Sequence, residues 1–278
     1  MERTEDMEIR IEQLEEAKLI YKMTEGGRKM CLIIANSKFS RQARLEACKL
    51  DCRYLTALFT GLNFDVEGKE NLTAEGIKAF LEDKKRHLDV DLECFACVIT
   101  SHGDPRGILG IDDAVIEFQN ILDMFDRDHC PELANKPKLF LFDVCRRSGV
   151  DLVQLKAKKI VNYTMIPPTK SDILVAHATT NDYVSFCDRN YGSRFCRSFV
   201  KVVSENACRY SILDMLLMVN EMVGEFTSGG VLQSVQFDCS MRKQFFFPLP
   251  VIRQAKAIAA HETKTSLEED RDVKQTGL

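Results

Sequence analysis

With 278 residues, 45% of them hydrophobic and 29% charged, the chain can bury one sizeable core but is short for two full domains. A net charge of -4 and a pI near 5.8 argue against a nucleic-acid partner, and no apolar run reaches membrane-spanning length. Eleven cysteines, an odd number, follow an N-terminal stretch (Met1 to Lys18) that is charged and lacks the apolar centre of an export signal. This pattern reads as free thiols in a reducing compartment, hence a cytoplasmic protein.

In chain order, Met30 to Ala35 is a buried strand. Arg44 to Leu62 is a helix, with Leu45, Cys48, Cys52, Leu55 and Phe59 at helical spacing. Phe64 to Glu67 gives a short strand, and Thr73 can N-cap a second helix running through Lys85. The apolar run Cys94 to Thr100 ends in Ser101-His102-Gly103. Its Cys94 and Cys97 fall on opposite strand faces, and no second pair completes a zinc site, so neither a metal nor a cofactor is implied. Gly107 to Phe118 suits a hairpin, and Phe118 to Phe125 a helix.

Lys138 to Phe142 is again a short apolar run, the pattern of a strand buried on both faces, and it leads into Asp143-Val144-Cys145-Arg146-Arg147. Beyond Pro167-Pro168 come a buried strand (Ile173 to Ala178), two amphipathic helices (Ser193 to Ala207 and Ser211 to Glu225), an alternating strand (Ser234 to Ser240) and a final strand (Gln244 to Phe247). Strands alternating with helices predict an α/β fold, a mostly parallel sheet covered on both faces. Chemistry in such sheets sits beyond the carboxyl ends of the strands. A histidine and a cysteine leave that edge here. Cys145 is the candidate nucleophile, His102 its acid-base partner, and the N-H groups of Gly103 and Cys145 the candidate oxyanion donors.

The runs CVITSHG (Cys97 to Gly103) and KPKLFLFDVCRR (Lys136 to Arg147) resemble the histidine and cysteine blocks of the caspases. The similarity extends through IIANSKF (Ile33 to Phe39), Gly192-Ser193 with Phe195, Ile212 to Asn220 and RKQFFFP (Arg242 to Pro248), covering about residues 20 to 250. The resemblance implies a three-layer caspase fold. It divides the chain into a charged N-terminal segment (1-19), a large-subunit part (20-147), an intersubunit linker (148-166), a small-subunit part (167-250) and a polar tail (251-278). It also implies a protein or peptide substrate and a homodimer or caspase heterodimer formed through the strand at Ser234 to Ser240. Asp151 is the one aspartate between Cys145 and Pro167 at which the linker is open to processing.

The departures from the family bear on the same site. Where caspases read Gln-Ala-Cys, this chain has Asp143-Val144-Cys145. The pocket arginine after Ser-Trp or Ser-Tyr falls on Cys187 in Ser185-Phe186-Cys187, and the other falls on Leu45, leaving Arg44 and Arg189 as the nearest cations. Charged hydrogen bonds to a carboxylate are worth roughly 1.5 to 3 kcal/mol each. Two facing carboxylates repel by about 4 kcal/mol at an effective dielectric near 20. Three functions stay open: a catalytically impaired regulator or decoy acting on an active caspase, a caspase with ordinary aspartate specificity rescued by Arg44 or Arg189, and a peptidase cleaving after a basic residue. The last is suggested by the similarity of Phe142 to Arg147 to the paracaspase block, in which an aspartate precedes the cysteine.

Overall fold

The computed structural model describes residues 10, 12-14, 16-24, 26-146, 170-180, 183-207, 209-225 and 233-247. The expected linker with Asp151, and the tail, lie outside these. Its centre is a six-stranded sheet of β1 (Arg28–Ala35), β2 (Asp65–Glu70), β3 (Leu92–Ser101), β6 (Lys138–Val144), β7 (Ile173–His177) and β10 (Gln236–Cys239). In space the order is β10-β7-β6-β3-β1-β2, parallel except for β10, which runs antiparallel to β7 at one edge.

The apolar runs of β3 and β6 occupy the middle of the sheet for a simple reason. Every residue of β6 is buried, as are nine of the ten in β3, so neither strand offers a face that water could solvate. The faces are covered by different helices. Helices α1 (Ala47–Gly61), α4 (Arg194–Asn206) and α5 (Ile212–Glu225) close one core, in which Phe59, Phe195 and Phe199 meet Cys94, Val98 and Leu141. Helices α2 (Ala74–Arg86) and α3 (Phe118–Met124) close the other over Phe95, Cys97, Phe140 and Phe142. Cys94 and Cys97 therefore do point to opposite faces, and the described cysteines are all free thiols. No described helix is long and apolar enough to cross a membrane.

Local chemistry fixes the element ends. The Thr73 hydroxyl accepts from the Gly76 N-H at 3.0 Å, and the Ser193 hydroxyl from the Cys196 N-H at 2.9 Å, each satisfying a donor that a helix start leaves open. The hairpin forms as β4 (Gly107–Leu109) with β5 (Val115–Glu117), and β8 (Cys187–Asp188) pairs with β9 (Gly192–Ser193). The expected strand at Gln244 to Phe247 does not form. Gln244 makes a single bridge to Ile20, while the Phe245 carbonyl accepts from the Ile212 N-H at 2.9 Å and so caps the start of α5. Phe245 and Phe247 still alternate into the core, which is the pattern that mimics a strand.

At the pole opposite the carboxyl edge, Asp172 ties both ends of the domain to β7. It accepts from the Tyr21 hydroxyl at 2.7 Å and from Arg242 Nε and Nη2 at 3.0 and 2.7 Å. Burial alone would raise its carboxyl, but the bonds from Arg242 and then Tyr21 outweigh burial and hold it below the usual range. A depressed folded-state pKa gives stability that is present above the unfolded value, near 3.9, and lost as pH falls below it. Asp172→Ala is expected to cost about 2 to 3 kcal/mol, because a buried phenol loses its acceptor while the half-exposed guanidinium is screened by water. Denaturant melts check both points: the loss in the variant at pH 7 should shrink at pH 3.

Candidate active site

Strands β3 and β6 pair in parallel with Ser101 opposite Val144, so the residues that follow them, His102 and Cys145, leave the same edge side by side. Both line one small cavity of about 20 Å³, together with Leu45, Asp51, Asp143 and Cys187 among others. The His102 ring rests against Phe39 at 4.6 Å between centroids, and its Nε2 lies 2.8 Å from the Ala43 carbonyl. A carbonyl only accepts, so Nε2 carries the hydrogen and Nδ1 is left as the basic nitrogen.

Gly103 is needed for its small size. A Cβ there would lie 2.7 Å from the Gly107 carbonyl oxygen and 3.0 Å from that of Cys145. The bonds from Leu109 N-H to His102 O and from Asp104 N-H to Gly107 O flank Gly103 and Ile108 as a non-hydrogen-bonded pair, so this pairing leaves the Gly103 N-H unused. The N-H groups of Gly103 and Cys145 thus belong to adjoining backbone at the expected edge.

The Cys145 thiol donates to the Ser185 carbonyl at 3.8 Å. Burial, and then the negative charge of Asp143, push its pKa above the ordinary thiol value. The resting sulfur is therefore a thiol, and a nucleophile forms only when a base takes its proton.

Beneath the sulfur the pocket is acidic. Asp143 points inward from the end of β6, its Oδ1 accepting the Ser185 hydroxyl at 2.7 Å and its Oδ2 lying 3.4 Å from Cys196 Sγ. Asp51, on the buried face of α1, accepts the Ser193 N-H at 2.8 Å through Oδ1, while its buried Oδ2 has no hydrogen-bond partner. Burial and then the neighbouring Asp143 push the Asp51 carboxyl up to about 8. Asp143 is likewise raised by burial, against which the bonds from Ser193, Ser185 and Cys196 act. The two carboxyls titrate as a pair that resists a second negative charge. Cys187, exposed on β8 yet lining the cavity, is a thiol raised by partial desolvation and then by its neighbours Asp143 and Asp51, and brings no positive charge.

Several expected residues are placed elsewhere. Arg44 is 73% exposed in its side chain and lies 3.9 Å from Glu46, and Arg189 is exposed in the turn between β8 and β9. Neither lines the cavity, whereas Leu45 does. Phe186 also turns aside, stacking under the Arg194 guanidinium at 4.6 Å. Nor does Asp143 pair with Arg146. That guanidinium crosses to Gln236 Oε1 on β10 at 2.9 Å. Sequence reasoning missed Asp51 and Cys196; the available signal was a lone acid on the apolar side of an amphipathic helix, where burial must be explained.

The raised Cys145 thiol sets a measurable expectation. Alkylation of Cys145 by iodoacetamide, followed by mass spectrometry of its peptide, should rise about tenfold per pH unit and keep rising above pH 8.5. A plateau near pH 7 would mean a preformed thiolate.

The chain can now be set beside known proteins. A family model described as the caspase domain matches residues 28–246. Caspase-2 of Gallus gallus is 30% identical over 227 residues, which are 74% of this chain and 53% of that protein. Caspase-3 of Oryctolagus cuniculus is 29% identical over 215 residues, 75% of this chain and 77% of the relative. Cell death protein 3 of Caenorhabditis remanei is 26% identical over 275 residues, 85% of this chain and 53% of the relative. The chain thus spans about half the length of the first and third of these proteins. Sheet order, the Cys-His edge and the family match agree: the chain belongs to the caspase-domain family.

Proposed function

We propose that this protein acts in apoptotic signalling as a caspase-family regulator that does not cleave efficiently after aspartate and works by associating with an active caspase. The observation that carries this reading is the pair Asp51 and Asp143 in the pocket beside Cys145, with no arginine or lysine among the described residues lining it. A P1 aspartate entering there would meet about 4 kcal/mol of repulsion at contact, close to a thousandfold in rate. The dyad itself is not the obstacle. His102 Nδ1 can accept the Cys145 proton, the sulfur can attack a peptide carbonyl, and the Gly103 and Cys145 N-H groups can receive the oxyanion before the imidazolium protonates the leaving amine.

Association would use β10, the outermost strand on its side of the sheet. Arg146, which directly follows Cys145, bonds to Gln236 on that strand, so a partner seated on β10 would be felt at the nucleophile. We place processing of the chain, where it occurs, at Asp151 and in the hands of another caspase. A second reading, cleavage after lysine or arginine, is favoured by the unpartnered Oδ2 of Asp51, which a cationic side chain would satisfy.

A peptide library containing every P1 residue separates these readings. The regulator reading expects no cleavage after aspartate and altered activity of an active caspase on mixing; cleavage confined to basic P1 residues would replace it with the second. Efficient aspartyl cleavage by the wild type, or a strictly monomeric chain that leaves active caspases unaffected, would remove it. The double change Asp143→Gln with Cys187→Arg is expected to raise aspartyl cleavage at least roughly a hundredfold, from about 3 kcal/mol recovered.

A further inference from the structure

Three side chains from three separated parts of the chain meet beneath the pocket: Asp51 of α1, Asp143 of β6 and Cys196 of α4. One ligand-capable atom of each lies within 4.8 Å of the others, and all three residues are buried. Each carboxylate is also held from outside the cluster, Asp143 by the side chains of Ser193 and Ser185. The Ser185 hydroxyl holds Asp143 Oδ1, and the Ser193 N-H holds Asp51 Oδ1. Asp51 Oδ2 is buried without a partner, and Asp143 Oδ2 lies 3.4 Å from Cys196 Sγ.

From this geometry we propose that the base of the pocket is a zinc-binding site, with Asp51, Asp143 and the Cys196 thiolate as protein ligands. A tetrahedral zinc bound to oxygen at 2.0 Å and sulfur at 2.3 Å holds those two atoms about 3.5 Å apart. The Asp143 to Cys196 separation already matches. Two carboxylates and a thiolate suit zinc, whereas calcium and magnesium demand six or more oxygen ligands. Buried acids are otherwise costly unless paired or metal-bound, and the hydrogen bonds that reach these two carboxylates come from neutral groups, with the Arg197 charge opposing the rise at Asp51 less strongly than burial and Asp143 drive it. The bonds from Ser185 and Ser193 are the outer-shell contacts that fix carboxylate ligands in place. Gly192, at φ +82°, allows the second of them: a Cβ there would lie 2.4 Å from Asp51 Oδ1.

The fourth position would face the cavity below Cys145 and be filled by water. On binding, the Cys196 proton and any proton shared by the carboxyls leave to solvent, and no electron is transferred. An occupied site fills the pocket, so zinc and an inserted side chain would exclude one another. The site stands apart from the reading of function: it holds whether or not the Cys145 and His102 pair turns over.

Zinc titration of the purified full chain against a chromogenic chelator, followed by cobalt substitution and absorption spectroscopy, tests it. We expect one zinc per chain, weakened at least a hundredfold by Asp51→Asn and by Cys196→Ser, and retained by Cys145→Ala and His102→Ala. The thiolate-to-cobalt band should persist in Cys145→Ala and vanish in Cys196→Ser. Thermal melts without metal show whether the variants fold. Should Cys196→Ser not fold, Cys145→Ala combined with Cys187→Ala must keep the band. No zinc binding by the wild type, zinc lost with Cys145 or His102, or zinc indifferent to Asp51→Asn, would each overturn the proposal.

Discussion

The parallel register of β3 against β6 is the constraint on which the site depends. With Ser101 opposite Val144, His102 and Cys145 emerge together, and Asp143, one pleat earlier, turns into the same pocket. A slip of one residue would send Cys145 to the other face of the sheet and Asp143 with it. The register is secured because both strands are buried on both faces. Phe95, Phe140 and Phe142 belong to one core, while Val98, Leu139 and Leu141 belong to the other, so a slipped strand would misplace every one of them. The stability of the sheet and the geometry of the edge are the same fact.

What the register brings together is the Cys145 thiol and an acid pair in one cavity. Most buried carboxylates in folded chains face a cation or a set of donors that outweighs desolvation. Asp172 shows that arrangement at the opposite pole, where Arg242 and Tyr21 depress its pKa. Asp51 and Asp143 show the reverse, with burial and mutual repulsion raising both. Buried acids in one domain thus respond to pH in opposite senses, and the difference lies in whether an arginine hydrogen-bonds the carboxylate, as Arg242 does at Asp172, or acts only through its charge, as Arg197 does at Asp51. Two arginines that the sequence offered to the pocket have gone elsewhere, Arg146 to β10 and Arg44 to the surface.

The sheet and the shared edge of His102 and Cys145 were legible in the sequence because each depends on short-range pattern. Apolar runs that stop at His102 and Cys145 carry their own address, and the Thr73 cap is visible as a residue type in position. The acid pair depends on contacts that no local pattern encodes. Asp51 sits between Cys48, Cys52 and Leu55 on an amphipathic helix, and its burial follows from the Gly192-Ser193 turn, 142 residues away in the chain. Cys196 reads as one more core thiol, and only the fold sets it beside Asp143. The misread strand at Gln244 to Phe247 is the converse error: alternation was real, but the Phe245 carbonyl was already committed to α5.

The central claim is that the pocket under Cys145 is electrostatically hostile to a carboxylate. The most direct test is the affinity of two peptide aldehydes identical except at P1, one aspartyl and one carrying a neutral isostere, for the purified metal-free chain. The account predicts that the aspartyl compound binds at least a hundredfold more weakly, from about 3 kcal/mol of the expected repulsion. Equal or tighter binding of the aspartyl compound would contradict it.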